Sequence, residues 1–508
     1  MNKNIITVFE QIAKDNSTRI AYDEMGKTTT YADLSSAIDT LAAWLSTQSL
    51  PDRSPILVYG DHQVEMIISF LAALKAGHTY IPVSNDSAIP RMQSILDTAK
   101  PAMIIAVNDF PSNDLQFDAP IVDYQQLEKI LATPQTFDTS AMINGDELAY
   151  VLFTSGTTGS PKGVEVSHDN FMTFVDWMLS DEFQIKEHAN FLGQPPYSFD
   201  LSNMYWLPAL LNGGTIKALP HEVVENFGQM FTALPTLDLE VFVGTPSFAD
   251  MLMLSPAFNQ QKMPTLKTFL FCGEELTVKT AKGLHQRFPD AKIFNTYGPT
   301  ETTVAVSGIE ITPEIIENND RLPVGYAKPG VKLSIWNGDQ EITTPGEQGE
   351  IVISGNSVAR GYMNNPEKTV KSFFKIDGVP AYRTGDAGTL DSDGLLHHKG
   401  RMDFQIKLHG YRIELDEVRA SLEKSPLIKQ AVAVPKYNKD GKVTHLIAYV
   451  IPTEATDDEA GLTKQIRESL DGLIMPYMMP TQFVYRESFP MSANGKIAVK
   501  QMIAEANK

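Results

Sequence analysis

A loop rich in glycine and hydroxyl residues is the part of this sequence that points most directly to chemistry. It reads Phe153-Thr-Ser-Gly-Thr-Thr-Gly-Ser-Pro-Lys-Gly163 and follows an apolar strand pattern. Glycines let the backbone approach a phosphate closely, while hydroxyls, backbone N–H groups and the Lys162 ammonium can bind its oxygens. The loop differs from the Walker type, because Pro161 stands where the second glycine belongs. We predict a phosphate-binding loop between a strand and a helix; the alternative is a flexible surface loop.

Three isolated charged residues are the next candidates for functional side chains. Asp200 lies between Phe199 and Leu201, and a carboxylate buried there requires a partner. Its alternative role is to cap a helix starting near Leu201. Asp386 follows a glycine and is either a functional carboxylate or a turn residue. Lys496, near the end of the sequence, is either functional or an exposed lysine.

Composition limits the function classes. The 508 residues carry 42 Lys plus Arg and 62 Asp plus Glu, a formal charge of −20. Such acidity argues against nonspecific binding to nucleic acid or to an anionic membrane. The single cysteine, Cys272, excludes a disulfide framework, and no apolar run approaches the ~20 residues of a membrane span. We expect a cytoplasmic protein with no integral membrane segment.

The helices and strands that position the candidate residues can also be predicted from the sequence. Alternating strand and helix patterns, such as the strand at 56–59 and the helix at 64–75, predict mainly parallel sheet with covering helices. The pattern returns from 150 to 294. Short strands with Gly, Pro, Asn and Asp between them at 322–398 indicate a β-barrel or sandwich. A smaller α+β unit is predicted after about residue 402.

The loop and a series of later motifs resemble the adenylate-forming superfamily, which includes acyl-CoA synthetases, nonribosomal peptide adenylation domains and luciferases. Seven motifs follow in the family's order and cover nearly the whole chain. They are Asn295-Thr-Tyr-Gly-Pro-Thr-Glu301, Gly349-Glu-Ile351, Gly361-Tyr362 with Pro366-Glu367, Tyr382-Arg-Thr-Gly-Asp386, Gly400-Arg-Met-Asp-Phe-Gln-Ile-Lys407, Gly410-Tyr-Arg-Ile-Glu414 and Asn494-Gly-Lys496.

The resemblance implies a fold and a reaction. The expected fold is α/β and α+β: a large domain, 1–402, of two α/β lobes plus a β-barrel-like part, and a small mobile α+β domain, 403–508. In the family, a carboxylate attacks the α-phosphate of ATP and pyrophosphate leaves. A thiol then attacks the acyl carbon and displaces AMP.

The resemblance also assigns the nucleotide site. Lys496 matches the catalytic lysine that bridges the substrate carboxylate and the α-phosphate, although Ala498 and Val499 depart from the residues that usually follow it. Thr300 and Glu301 complete the catalytic set, with Glu301 as the Mg²⁺ ligand. The expected ATP-binding residues are Thr154, Ser155, Gly156, Thr157, Lys162, Asn295, Thr296, Tyr297, Gly298, Pro299, Thr300, Asp386, Lys399, Gly400, Arg401 and Lys496.

The acyl pocket resembles that of family members that activate D-alanine. The matching strings are Tyr197-Ser-Phe-Asp-Leu-Ser202, Thr245-Pro-Ser-Phe248 and Phe269-Leu-Phe-Cys-Gly-Glu274. By this resemblance Asp200 binds the substrate ammonium, Cys272 shapes a small pocket, and Val304 and Lys496 contact the D-alanine.

The second half-reaction implies a moving domain and a partner. Asp403 matches the family's hinge, unless it merely ends a turn, and the loop around Gly410 would line the thioester-forming site. The chain has no Gly-x-Asp-Ser-Leu string for attaching phosphopantetheine. We therefore expect a separate D-alanyl carrier protein with a phosphopantetheine arm, in the first step of D-alanylation of lipoteichoic acid.

Two other functions stay open on the sequence. One is an adenylation enzyme for another small amino acid, or an acyl-CoA ligase; Asp200 opposes the acyl-CoA alternative. The other is a binding protein that senses a nucleotide or acyl-adenylate without turnover. The presence of Lys496, Asp386 and Thr300 with Glu301 argues against it.

Overall fold

The computed structural model describes residues 3–155, 161–402, 405–439, 441–454, 457–490 and 497–508. We call the described residues up to Met402 the N-terminal unit and those from Gln405 onward the C-terminal unit. Within these ranges, every helix is too short or too polar to cross a membrane.

The N-terminal unit begins with alternating helices and strands. To residue 154 they are α1 (Ile5–Asp15), β1 (Ile20–Glu24), β2 (Lys27–Thr30), α2 (Tyr31–Ser46), β3 (Pro55–Gly60), α3 (Val64–Ala76), β4 (Thr79–Ser84), α4 (Ile89–Ala99), β5 (Met103–Ala106), β6 (Ile121–Val122), α5 (Tyr124–Leu131) and β7 (Leu148–Thr154). The predicted helix and strand at 64–75 and 56–59 are therefore confirmed as α3 and β3.

The second stretch of the N-terminal unit also alternates. It contains β8 (Lys162–Ser167), α6 (His168–Met178), β9 (Asn190–Gly193), α7 (Trp206–Leu211), β10 (Thr215–Ala218), α8 (His221–Glu225), α9 (Phe227–Ala233), β11 (Val241–Gly244), α10 (Pro246–Leu252), β12 (Thr268–Phe271), α11 (Val278–Arg287), β13 (Lys292–Tyr297), β14 (Ser307–Glu310) and α12 (Pro313–Asn318). Short 3₁₀ turns lie at Ser112–Asp114, Asp200–Met204, Leu234–Thr236 and Thr300–Thr302.

These strands form two largely parallel sheets. Their orders are β6-β5-β3-β4-β7-β8 and β14-β13-β12-β11-β9-β10-β1-β2, and the second continues past β14 into β15 (Tyr326–Ala327). The pairs β7–β8, β1–β2 and β13–β14 at the sheet ends are antiparallel. One apolar core joins both sheets through Val58, Ile216 and Leu270, with Trp206 packed against Phe70. Residues at the carboxyl ends of strands from both sheets line one cavity, among them Ser84 of β4 and Thr245, which follows β11.

One element near the phosphate loop was predicted wrongly. The sequence placed the loop between a strand and a helix, but β8 follows it and pairs antiparallel with β7, with Thr154 opposite Lys162. Lys162 is thus the first residue of a strand, and α6 begins only at His168. Val164 and Val166 alternate with polar residues over too few positions to stand out in the sequence.

The rest of the N-terminal unit is rich in β-strands, as its punctuated short strands predicted, and these strands form one antiparallel sheet. After β15 its elements are β16 (Val331–Asn337), β17 (Gln340–Ile342), β18 (Gly349–Gly355), α13 (Pro366–Ser372), β19 (Phe373–Ile376), β20 (Val379–Leu390) and β21 (Leu396–Arg401). The strand order is β17-β16-β18-β20-β19, and β21 pairs with β20. This pairing sets Asp386 directly opposite Arg401.

The C-terminal unit has its own apolar core. Its elements are β22 (Gln405–Leu408), β23 (Tyr411–Glu414), α14 (Leu415–Leu422), β24 (Ile428–Tyr437), β25 (Val443–Pro452), α15 (Glu459–Ser469), a 3₁₀ turn at Pro476–Met478, β26 (Gln482–Tyr485) and α16 (Val499–Ala506). Strands β24, β25 and β26 form one sheet, and β22 and β23 form a hairpin. Ala88 of the N-terminal unit packs into this core, so the two units are in apolar contact.

A buried lysine joins the first three helices. Lys75 on α3 is 3% exposed, and its ammonium contacts Glu10 on α1 and Asp39 on α2, the latter at 2.5 Å. Burial alone would favour the neutral amine, but the two carboxylates raise the pKa of Lys75. This ion cluster ties α1, α2 and α3 together.

Replacing Lys75 by Met is expected to lower the free energy of unfolding by about 2 kcal/mol. This is less than the roughly 3–5 kcal/mol lost when a wholly buried pair is broken, because Glu10 and Asp39 keep contact with water. Urea unfolding followed by tryptophan fluorescence measures it. The control Lys3→Met breaks the exposed pair with Asp176 and should change stability by less than about 0.5 kcal/mol. If both substitutions lowered the free energy of unfolding equally, the Lys75 cluster would stabilise the protein no more than an exposed ion pair does.

Candidate active site

A cavity of about 270 Å³ lies between the two units, beside the carboxyl ends of β12 and β13. Many of the site residues predicted from the sequence line this cavity. Those lining it are Cys272, Asn295, Thr296, Tyr297, Gly298, Asp386, Gly400 and Arg401. The C-terminal unit closes the cavity with Lys407 and Lys442, among others. Lys399, in contrast, is exposed on β21.

Asp386 is a buried and ionised carboxylate. Its Oδ2 accepts a hydrogen bond of 2.6 Å from the Tyr297 hydroxyl, and its Oδ1 accepts one of 2.9 Å from Arg401. Burial opposes ionisation, but the hydrogen bond and charge of His398 and the charge of Arg401 outweigh it and hold the pKa of Asp386 well below its usual range. A fixed carboxylate of this kind can accept hydrogen bonds from a ligand's hydroxyl groups.

Two polar side chains near the end of β13 are turned onto backbone carbonyls of the protein. The Asn295 amide donates to the Pro323 carbonyl at 2.7 Å, and the Thr296 hydroxyl donates to the Phe271 carbonyl at 2.8 Å. Gly298 has no room for a side chain, because a Cβ there would lie 2.6 Å from Cα of Ala305. The glycine therefore lets the turn after β13 pack closely against the backbone at Ala305.

Asp200 is buried in an apolar setting and is not a helix cap. It begins the 3₁₀ turn Asp200–Met204, whose N-cap residue is Phe199 with no side-chain capping bond, so the capping alternative is wrong. Its Oδ2 accepts a 2.6 Å hydrogen bond from the Thr300 hydroxyl. Burial raises the pKa of Asp200 to about 6, and Thr300 and Lys407 lower it only in part. The carboxylate is poised to gain from a cationic ligand.

Cys272 follows β12 and is 4% exposed. Burial raises the pKa of its thiol, so the group stays protonated near neutral pH. Its Sγ lies 3.8 Å from the Val304 carbonyl oxygen. Thr303 and Val304 both have φ near +60°, which is unusual for β-branched residues. This strained turn brings the Val304 carbonyl to the thiol, so Cys272 acts as a wall of the pocket.

Glu301 is fully buried and is held by both units. Arg412 Nη1, on β23, lies 3.0 Å from Oε1 and 2.8 Å from Oε2, and the Tyr362 hydroxyl donates to Oε1 at 2.7 Å. Burial disfavours the charged carboxylate, but Arg412 and Lys162 lower the pKa of Glu301 to about 2. Both oxygens already face cationic or hydrogen-bond donor groups. In this arrangement the donor set does not fit a divalent cation at Glu301.

The described part of the phosphate loop also meets the C-terminal unit. The Ser155 hydroxyl donates to the Arg412 carbonyl at 2.5 Å. The Thr154 hydroxyl is buried and has no hydrogen-bond partner among the described residues, which suits an added acceptor such as a phosphate oxygen. Lys162 is buried, and its ammonium lies 5.0 Å above the Tyr362 ring. Burial and the charge of Arg412 lower the pKa of Lys162.

The hairpin turn between β22 and β23 packs onto the N-terminal unit. The backbone N–H of Gly410 donates to Glu274 Oε1 at 2.8 Å, and Phe199 stacks on Tyr411. Gly410 has a φ of +86°, and a Cβ there would meet Thr245 Cγ2 at 2.4 Å. Beside this turn lies a second cavity of about 560 Å³, lined by Phe199, Leu201, Thr245, Met251, His409 and Tyr411.

Four predicted site residues lie outside the described residues: Gly156, Thr157, Asp403 and Lys496. Other site residues carried no predicted role. Arg412, Lys407 and Glu274 stood inside quoted strings, whereas His398 had no signal of its own. Arg412 and Glu301 are 111 positions apart, and a contact over that separation leaves no local pattern.

Known proteins resemble this chain over most or all of its length. Residues 9–363 match the model of the family described as AMP-binding enzyme. A D-alanine–D-alanyl carrier protein ligase of Lactiplantibacillus plantarum is 51% identical over 508 residues, covering 100% of both chains. One from Streptococcus agalactiae is 47% identical over 514 residues, again covering 100% of each.

A solved structure has the same fold. It is a holo nonribosomal peptide synthetase protein that contains adenylation and PCP domains and is bound to a vinylsulfonamide inhibitor. It superposes with a TM-score of 0.82 at 25% identity, covering 99% of this chain and 84% of that one.

Proposed function

This chain belongs to the AMP-binding enzyme family, together with the D-alanine–D-alanyl carrier protein ligases, and we propose that it catalyses the reaction those ligases are named for. It activates D-alanine with ATP and transfers the D-alanyl group to a separate carrier protein. In the first step a carboxylate oxygen of D-alanine bonds to the α-phosphorus and pyrophosphate leaves. In the second, a thiol sulfur bonds to the acyl carbon and AMP leaves.

The buried Asp200 carries this proposal. In the part of the chain that the structure describes, it has a hydrogen bond from Thr300 and forms no ion pair. A buried carboxylate without a cationic partner is unfavourable, and the ammonium of an amino acid supplies that partner. A fatty acid has no such group, so the same carboxylate opposes an acyl-CoA ligase. The Cys272 thiol lies 3.8 Å from the Val304 carbonyl oxygen, and we assign these two residues to the contact with the methyl group of D-alanine.

Asp386 and the loop after β13 support nucleotide binding. We assign the ribose hydroxyls to Asp386, which Tyr297 and Arg401 orient. We assign adenine and the α-phosphate to the segment 295–300, of which Asn295, Thr296, Tyr297 and Gly298 line the first cavity. Thr154, Ser155 and Lys162 are assigned to the phosphates, with the unpartnered Thr154 hydroxyl as support. Lys496 remains the proposed catalytic lysine.

The two steps of the reaction can be carried out in two different relative orientations of the domains. We propose a large domain, 1–402, and a small domain, 403–508, with the hinge at Asp403. In the described orientation, Gly410 lies over Phe199 and Thr245, next to the second cavity. We assign this arrangement to thiol transfer, with the cavity receiving the carrier's phosphopantetheine arm. Mg²⁺ at Glu301 belongs to an orientation in which Arg412 has moved away.

The proposed product fits a role in the cell wall. In the family, carrier-bound D-alanine goes on to lipoteichoic acid. Because the reaction consumes ATP, we propose that the enzyme works in the cytoplasm.

Amino-acid-dependent exchange between ATP and pyrophosphate tests the substrate. Exchange is expected to be strongest with D-alanine, weaker with L-alanine and other small amino acids, and absent with short fatty acids. Lys496→Ala should abolish exchange while ATP binding stays measurable, and Lys500→Ala, four residues later, should leave exchange unchanged. Strongest exchange with a fatty acid would refute the assignment, and no exchange with any acid would favour a binding protein.

The pH dependence of adenylation tests Asp200. Because its pKa is raised to about 6 in the free protein, the carboxylate is charged above that pH and neutral below it. The kcat/KM for D-alanine, which reports the free enzyme, should therefore fall as the pH drops through about 6. Asp200→Asn should lower kcat/KM at neutral pH by at least about 30-fold, because removing one partner of a buried charge pair costs about 2–5 kcal/mol. The variant should also lose the fall in kcat/KM below pH 6, which we call the acidic limb. The exposed Asp176→Asn serves as control; an acidic limb that persists in Asp200→Asn would contradict the assignment.

Gly410→Ala tests the orientation used for transfer. The added methyl group collides with Thr245 at a positive φ, so it should displace the C-terminal unit from its present position. Transfer of D-alanine to the carrier should slow at least about tenfold, while pyrophosphate exchange continues. Gly378→Ala is the matched control, because Gly378 has a φ of +84° and nothing within 4 Å of the added Cβ. Equal loss of transfer in both variants would contradict the role of Gly410.

A further inference from the structure

One hydroxyl group connects the acyl pocket to the phosphate side of the site. Thr300 is 8% exposed and begins the short 3₁₀ turn Thr300–Thr302. Its hydroxyl donates to Asp200 Oδ2 at 2.6 Å. The same residue lines a cavity of about 70 Å³ together with Thr154 and Ser155 of the phosphate loop. Thr300 therefore lies between the carboxylate assigned to the ammonium of D-alanine and the residues assigned to phosphate.

The Thr300 hydroxyl has a single proton to donate. It uses this proton in its bond to Asp200, and an O–O distance of 2.6 Å is typical of a hydroxyl bound to an ionised carboxylate. An ionised phosphate oxygen, like an ionised carboxylate oxygen, can only accept a hydrogen bond. Thr300 therefore cannot donate to Asp200 and to an α-phosphate at the same time.

Asp200 depends strongly on the bond from Thr300. Burial raises the pKa of Asp200, and the Thr300 hydrogen bond lowers it more than the charge of Lys407 or that of Arg412 does. A buried carboxylate that loses its donor is destabilised, and the first partner it then gains restores more free energy than a second partner would add. An ammonium group consequently binds Asp200 more favourably after Thr300 has turned to a phosphate than before.

We propose that Thr300 couples the two substrate sites: the nucleotide phosphate accepts the hydrogen bond that Asp200 otherwise receives, so nucleotide and D-alanine each raise the affinity of the protein for the other. The inference rests on the proposed function, because it takes the α-phosphate to lie at Thr300 and the D-alanine ammonium at Asp200. Its consequence is that the protein binds both substrates together in preference to either one alone.

AMP and adenosine test this coupling, because AMP carries the α-phosphate and adenosine lacks it. The affinity of the full-length protein for each compound is measured by isothermal titration calorimetry, with and without saturating D-alanine. The ratio of the two dissociation constants for one compound is its coupling factor, and linkage makes this factor the same whichever ligand is titrated. Measurement at about pH 8 keeps Asp200 ionised, because its pKa in the free protein is about 6.

In the unaltered protein, D-alanine should raise the affinity for AMP at least about fivefold, the lower end of couplings between two sites. It should leave the affinity for adenosine nearly unchanged. D-Lactate, which has a hydroxyl in place of the ammonium, should not raise the affinity for AMP. These comparisons need no substitution, so they stand even if a Thr300 variant does not fold. Equal coupling factors for AMP and adenosine, or an effect of D-lactate equal to that of D-alanine, would overturn the proposal.

Variants of Thr300 separate the effect of its hydroxyl from a direct attraction between the phosphate of AMP and the ammonium of D-alanine. Thr300→Val removes the hydroxyl and keeps the shape of the side chain, so the coupling factor for AMP should fall severalfold. Thr300→Ser is the matched control, because it keeps the hydroxyl, and it should keep the coupling factor. An unchanged factor in Thr300→Val would assign the coupling to direct contact between the ligands. Loss of coupling in both variants would assign it to the methyl group, and either result overturns the proposal.

Exchange between ATP and pyrophosphate in the unaltered protein distinguishes failure of this inference from failure of the proposed function. Exchange that depends on D-alanine, together with an AMP affinity that D-alanine does not change, overturns the inference and leaves the proposed reaction intact. Absence of exchange with D-alanine removes the proposed reaction and the inference with it. Exchange together with a coupling factor that depends on the Thr300 hydroxyl supports both.

Discussion

Burying carboxylates beside the nucleotide and substrate is the constraint on which this site depends. Each buried carboxylate needs a cation or a hydrogen-bond donor beside it. Asp386, Glu301 and Asp200 have different partners. Asp386 has Arg401 and His398, which keep it ionised. Glu301 has Arg412, which lowers its pKa to about 2. Asp200 has only a hydroxyl as its hydrogen-bond partner among the described residues, and its pKa rises to about 6. The carboxylate with the weakest protein partner is the one best suited to a cationic substrate.

The framework around these residues was largely readable from the sequence, because long periodic segments fix their own boundaries. Helix α3 follows the predicted 64–75 segment closely and ends at Gly77 with a φ of 87°. Strand β8 was missed because six residues with two inward valines give little periodicity beside a glycine-rich loop. The final helix α16 and the β22–β23 hairpin were missed for the same reason, since each is short.

For the site too, local motifs predicted individual residues, but they did not predict contacts between residues that lie far apart in the sequence. Asp386 and Arg401 were found through motifs, and their contact follows from one antiparallel strand pair. The Glu301–Arg412 contact depends on where the C-terminal unit docks. Docking is set by apolar packing around Ala88 and by stacking of Phe199 on Tyr411, with ring centroids 6.0 Å apart. Sequence motifs therefore identified the residues of each unit, but not the pairs that form between units.

A thiol inside the pocket of an acyl-transferring enzyme needs a physical explanation, because a reactive acyl-adenylate forms near it in the proposed reaction. Thiolates are the nucleophilic form, and burial keeps Cys272 protonated by raising its pKa. The Val304 carbonyl, 3.8 Å from Sγ, gives the S–H a weak acceptor within the wall of the pocket. Cys272 can thus fill space as a small apolar group while the acyl group passes to an external thiol. The turn at Thr303 and Val304 that supplies this acceptor directly follows the Thr300–Thr302 turn, so the wall of the acyl pocket and Glu301 belong to one continuous segment.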